Sequence, residues 1–323
     1  MASMAQTLSC KATPLIKQLA ATALLVFAAP YPETLRAQTA GHAKGMAHTQ
    51  EIDIAYETLG TQASSLPIIA INGGPGLTHA YMVQNDVWER IARNHLVVFY
   101  DQRGTGASKQ PGPGASALSQ TMDAQVADLE AVRQKLGLAK VALLGDSYGG
   151  LVAMAYAAAH PEHVAKLVLS DSPGPSWKSI VHVLPEVFPD VQEQNQKEMS
   201  KTNGDAAAIA GLRNHFRMIF YSPEKRDAYM SRMGNLGFEP AVSEAVSKAT
   251  AELDLTQKLA GFNFPVLVIT GRFDLNVAPL TAWRLAKAVP GAKIVFFEHS
   301  GHLPSYEEPE RYVEVLEGFL EGK

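Results

Sequence analysis

A chain of 323 residues, 46% hydrophobic and 19% charged, has the bulk for one large globular domain with an inserted subdomain. A formal net charge of −4, with no block of five like charges, excludes a surface built to hold a phosphate backbone, so no nucleic-acid partner is expected. The single cysteine, Cys10, excludes an internal disulfide and a cysteine-rich zinc site.

Lys11 and Lys17 precede a small-apolar run from Leu19 to Ala29, broken only by Thr22. That run is too short to span a bilayer. A basic start, a short apolar stretch and small residues after it read as a secretory signal peptide over residues 1–37, with Leu35-Arg36-Ala37 or Val26-Phe27-Ala28 as cleavage sites. Export, with the periplasm as destination, is the expectation; the cytoplasm is the alternative if the leader does not function. Residues 38–50, rich in Gly, Ala and His, are expected to be a flexible lead-in.

From Ile52 the pattern changes. Ile52 to Thr58 alternates like a half-buried strand, and Pro67 to Ile71 is a short apolar run ending in Asn72-Gly73-Gly74-Pro75-Gly76. Leu96 to Tyr100 is the next run. Met122 to Leu136 has helical apolar spacing, Val141 to Leu144 leads into Gly145, and Leu151 to Ala159 is a small-residue helix. Leu167–Leu169, Val266–Ile269 and Ile294–Phe297 complete the set. Continuous apolar strands separated by helices predict a mostly parallel sheet covered by helices on both faces. Residues 173–263 carry no buried-strand pattern and read as an inserted helical cap, leaving 51–172 and 264–323 as the α/β core. The cap would lie over the C-terminal edge of the sheet, where open α/β sheets bind ligands.

Gly145-Asp146-Ser147-Tyr148-Gly149 fits G-x-S-x-G between a buried strand and a small-residue helix. A serine nucleophile needs that sharp turn so that its oxygen leaves the sheet, and flanking glycines let strand and helix approach. A serine hydroxyl also needs a base to take its proton, and the order for the α/β-hydrolase fold is Ser, Asp or Glu, then His. Past the later strands stand Asp274 and His302, at the same sheet edge as Ser147. Asp171 competes for the role of acid and His299 for that of base. A histidine base predicts activity that falls in acid with an apparent pKa near the ordinary 6–7. Two donors must face the oxyanion, and the candidates are the amides of Tyr148 and Gly74. No metal motif of the His-x-x-x-His kind occurs, and no cofactor is expected.

The set Gly73-Gly74-Pro75-Gly76 with Leu77-Thr78-His79-Ala80-Tyr81, then Tyr100 to Ser108, then Gly145 to Gly150, resembles the proline iminopeptidase family. The resemblance runs from about Glu51 to Leu320 and is loosest in the cap. It implies an α/β-hydrolase fold and release of an N-terminal residue, such as proline, from small peptides. It also implies that Asp101 and Arg103 brace the oxyanion loop. Two departures stand out: Asn72 where the family usually has His, and Leu275 where it often has an amine-binding Glu. Of the cap carboxylates, Glu244 aligns with a family amine-binding Glu, and Glu239 is a weaker substitute.

Three functions follow as expectations: an aminopeptidase, an esterase or other acyl hydrolase acting on a small neutral substrate, and a silent binding protein on a hydrolase frame. Leu275 favours the second, and the complete Ser, Asp and His set argues against the third. The partner expected in the first two is a small molecule or short peptide.

Overall fold

The computed structural model describes residues 41–61, 65–109, 118–201, 204–234 and 237–323. The leader expected over residues 1–37, with Cys10, lies outside the described residues. The strands are β1 His42–His48, β2 Asp53–Leu59, β3 Ile68–Ile71, β4 Val97–Tyr100, β5 Val141–Asp146, β6 Val164–Ser170, β7 Val266–Gly271 and β8 Lys293–Phe297. They form one sheet in the order β1-β2-β4-β3-β5-β6-β7-β8. β1, β2 and β4 pair antiparallel, and the remaining neighbours pair parallel.

The apolar runs become central strands because both faces are covered. Ile69, Ile71, Val98, Leu143, Leu167 and Val268 join the core on one side, and Ile68, Ala70, Val97, Leu144, Val168 and Ile269 join the core on the other. That is the period-two alternation of a pleated strand, with apolar residues at both phases. The helices before the strand-free region are α1 Val87–Ile91, α2 Met122–Lys135 and α3 Tyr148–Ala159. Ten of the twelve residues of α3 are buried, as expected of a helix hydrophobic all round.

Between β6 and β7 run α4 Leu184–Val187, α5 Pro189–Met199, α6 Asp205–Met218, α7 Pro223–Arg232, α8 Pro240–Thr250 and α9 Thr256–Leu259. α10 Pro279–Ala288, α11 Pro304–Glu307 and α12 Pro309–Glu321 follow β7. α12 buries Tyr312, Val313, Leu316, Phe319 and Leu320, one stripe at helical spacing.

The segment expected to be a flexible lead-in differs: His42–His48 is the edge strand β1, registered residue for residue on β2. Backbone pairing with β2 makes this strand, and of its side chains only Ala47 is fully buried. Its outward residues are polar, with Lys44 reaching Glu57 at 3.1 Å, as suits an exposed edge.

The strand order reverses at β3. β4 lies on one side of it and β5 on the other, so the loops after β3 and β5 leave a topological switch point side by side. β6, β7 and β8 continue outward in order, which brings the residues after each of them to the same edge.

Candidate active site

Ser147 follows β5 on a turn with φ 50° and ψ −124°, a backbone region disfavoured for a non-glycine residue. The surroundings hold it there. Its amide donates to the Ser170 carbonyl at 2.9 Å, and a Cβ at Gly149 would meet the Ile71 carbonyl oxygen at 2.1 Å. Only glycine lets α3 start this close to β3.

His302, from the loop after β8, places Nε2 3.0 Å from Ser147 Oγ, and its Nδ1 lies 2.7 Å from Asp274 Oδ2. The other oxygen of Asp274 accepts the amides of Asn276 and Val277, each at 2.9 Å. An acceptor on Nδ1 fixes the N–H there and leaves the Nε2 lone pair facing the serine in the neutral ring. The loop is anchored from below. The buried Glu307 carboxylate accepts the amides of Gly301, Tyr221 and Ser222, joining the His302 loop to the connection between α6 and α7. His302 itself donates its amide to the Ile219 carbonyl at 2.8 Å.

Burial alone would lower the pKa of His302. The charge and hydrogen bond of Asp274, with Asp171 and Asp146 behind, overcome burial and raise it to about 9. With His302 as the base, the acid limb is expected above the ordinary 6–7 of an unperturbed imidazole, because several carboxyls converge on one ring.

The competitors fall elsewhere. Asp171 is buried beside Asp274, and its oxygens accept the Gly271 amide and the Ser170 hydroxyl, each at 3.0 Å. Burial and the neighbouring Asp274 push its pKa well up. Asp171, Asp274 and His302 have ligand-type atoms within 4.8 Å of one another, but these hydrogen bonds and the His302–Asp274 pair occupy them. His299 is exposed, its ring tilted against Tyr221 at 5.7 Å rather than hydrogen-bonded to the serine.

Gly74 lines the same cavities as Ser147, at φ 129°, a conformation open to glycine. The neighbouring Gly73 amide is taken by the Tyr81 hydroxyl at 2.5 Å. That hydroxyl in turn donates to Asp146 Oδ2 at 2.5 Å, so one phenol ties the glycine loop to the residue before the nucleophile. Tyr148 opens α3, where an amide has no partner within the helix.

Loop bracing differs from the expectation. Gln102 Nε2 donates to the Asn72 carbonyl at 2.7 Å, and Asn72 Nδ2 spans the loop to the carbonyls of Gly73 and Leu77. Arg103 instead grips Asp128 of α2 through two bonds, at 2.7 and 2.8 Å. Asp101 acts one step away: it holds His79 Nδ1 at 2.9 Å, while Glu57 holds Nε2 at 2.8 Å.

Burial would lower the His79 pKa, but the two carboxylates raise it to about 9, and the His79 bond holds Glu57 at about 2. The His79 contribution to stability is complete below its ordinary 6.5 and is lost as pH rises through about 9. The Glu57 contribution is complete above 4.5 and is lost as pH falls through about 2. His79→Phe, which strands the buried Asp101 and the half-buried Glu57 carboxylates, is expected to cost about 3 kcal/mol in urea unfolding near pH 6. The gap from wild type should close toward pH 10. A constant gap across that range would contradict the ion-pair assignment.

Glu244 does not reach the nucleophile. α8 turns Val242, Val246 and Thr250 inward, and Glu244, two residues beyond Val242, lies on the exposed face and lines neither cavity at Ser147. Glu239 pairs with Lys109 at 2.9 Å. Two cavities of about 60 and 500 Å³ open on Ser147. The smaller is walled by Leu77, Leu212, Phe216, Ile219 and Leu303, the larger by Pro173, Trp177, Ile180 and Val277. Among the described residues lining them, Asp146 is the one carboxylate, and it is already bound to Tyr81. Asn276, His182 and His215 line them too and carried no sequence signal. Asn276 Nδ2 sits 3.3 Å from His302 Nε2.

A family model described as alpha/beta hydrolase fold matches residues 67–309, and the sheet and the residues at its edge belong to that class of enzyme. A proline iminopeptidase of Lactobacillus delbrueckii subsp. lactis is 30% identical over 275 residues, covering 81% of this chain and 92% of the relative. A proline iminopeptidase of Clostridium botulinum is 30% identical over 274 residues, covering 79% and 89%. A thermophilic esterase from Thermogutta terrifontis superposes with a TM-score of 0.65 at 26% identity, over 87% of this chain and 98% of the esterase. The chain belongs to the proline iminopeptidase-like branch of the α/β hydrolases and is a hydrolase. Among the described residues, no helix is long and apolar enough to cross a membrane.

Proposed function

We propose that the protein is a serine acyl hydrolase acting on small, neutral esters or amides through an acyl-enzyme. The observation that carries this reading is the hydrogen-bonded line Asp274–His302–Ser147 opening on cavities with no free carboxylate among their described residues. Ser147 Oγ attacks the substrate carbonyl while His302 Nε2 takes its proton, and Asp274 steadies the imidazolium. The tetrahedral oxygen is received by the amides of Gly74 and Tyr148. Collapse breaks the bond to the leaving alcohol or amine, which takes the proton back from His302. Water then attacks the acyl-Ser147 ester with His302 again as base. This releases the acid and restores the serine.

A second reading, release of an N-terminal residue such as proline from small peptides, is supported by the relatives. The two readings separate on charge. An ammonium entering an apolar cavity loses water, and only a nearby carboxylate offsets that loss. The expected result from a panel of aminoacyl arylamides and p-nitrophenyl esters is kcat/KM about tenfold or more higher for blocked-amine and neutral substrates than for free-amine partners. Glu244→Gln should leave every substrate unchanged. Preference for free amines, weakened by Glu244→Gln, would establish the aminopeptidase reading instead.

A further inference from the structure

The two cavities at Ser147 share one imidazole, that of His215 on α6. The other polar side chains lining them already have partners. Asn276 and Ser147 bond His302, Tyr81 and Asp146 bond each other, and His182 Nδ1 meets the Asn276 carbonyl at 2.8 Å. Among the described residues, His215 hydrogen-bonds no neighbour through its ring. It is half-buried beside Phe216 and Ile219, with the reacting serine at the same cavity wall.

A neutral imidazole offers one N–H donor and one nitrogen acceptor. Burial pushes the His215 pKa down to about 4, so the ring is uncharged wherever His302 can act as a base. It therefore provides no charge to offset an ammonium, and it is matched to an uncharged polar group.

We propose that His215 is the specificity-determining residue of this site, hydrogen-bonding a hydroxyl, amide or carbonyl on a neutral substrate whose reacting carbonyl sits at Ser147. The proposal rests on the reading of Ser147 as nucleophile and of the substrate as neutral. It names what that substrate carries: a second, uncharged polar group near the reacting carbonyl. A purely apolar acyl group beside the imidazole leaves it unsatisfied.

The test compares p-nitrophenyl butyrate with p-nitrophenyl 3-hydroxybutyrate, which differ by one hydroxyl, on wild type, His215→Phe and His215→Gln. Wild type should prefer the hydroxylated ester. His215→Phe should lower its kcat/KM about tenfold while changing butyrate less than about threefold, since one hydrogen bond is lost. His215→Gln, which keeps donor and acceptor, should retain most of the preference. Equal losses on both esters would make His215 a packing residue, and an unchanged ratio would remove it from recognition; either overturns the proposal. If His215→Phe does not fold, the ratio for His215→Gln against wild type and His215→Leu decides the same question. Titration of each variant with an organophosphonate separates the two levels. No labelling of Ser147 in wild type sinks the nucleophile, whereas stoichiometric labelling with an unchanged ester ratio sinks only the role of His215.

Discussion

Ser147→Ala is expected to lower kcat by about a millionfold while leaving the fold intact. The serine side chain makes one hydrogen bond, to His302, and the turn that carries it is held by main-chain contacts to Ser170 and by the packing of Gly149 on β3. Removing Oγ therefore removes the proposed bond-forming atom and little else. The amides of Gly74 and Tyr148 stay in place, so the residual rate should still exceed that in water by about a thousandfold or more. Urea unfolding should be close to wild type, because alanine keeps the same strained backbone. Loss of activity with loss of fold would say nothing of chemistry. An active, folded alanine variant would remove Ser147 from the reaction.

Asp274→Asn should lower kcat by about ten-thousandfold, since the amide can present an N–H to Nδ1 and turn the ring to the wrong tautomer. It should also move the acid limb. In wild type His302 is raised to about 9 because Asp274 outweighs burial, so kcat/KM should climb with pH toward that value. Without the charge, burial wins and the limb shifts to lower pH. Stability runs the other way. The contribution of the raised His302 is complete below 6.5 and fades as pH passes through about 9, so wild type gains activity and loses stability over one window. Asp171→Asn keeps the His302–Asp274 bond and should cost far less. If Asp171→Asn were the more damaging change, the acid assigned to the triad would be wrong.

The parts of this site that the sequence announces share one property: each sits directly after an apolar strand. Ser147, Asp274 and His302 could be read because the runs ending at Leu144, Ile269 and Phe297 mark the sheet edge, and a parallel sheet brings those ends together. His215 and Asn276 carry no such mark. One lines the serine's cavity from a helix in the strand-free region, the other from a loop tied down by backbone hydrogen bonds, Ala278 N–H to the Val181 carbonyl and Val183 N–H to the Leu275 carbonyl. The brace of the glycine loop was legible as a stretch but not as a residue. Asp101 and Arg103 are the charged positions, yet the uncharged Gln102 between them makes the contact. β1 was missed because an edge strand needs no apolar alternation when its pairing is all backbone. Glu244 was misplaced by alignment alone, although the spacing of Val242, Val246 and Thr250 already turns it outward.

The proposed chemistry requires that one serine be made nucleophilic by one histidine. The most direct measurement is mass-spectrometric mapping of the adduct left by a fluorescent organophosphonate, read as a function of pH. One adduct per chain is expected, on Ser147, forming faster as pH rises toward about 9 and absent in His302→Asn. An adduct on another serine, or labelling of Ser147 at an undiminished rate in His302→Asn, would contradict it.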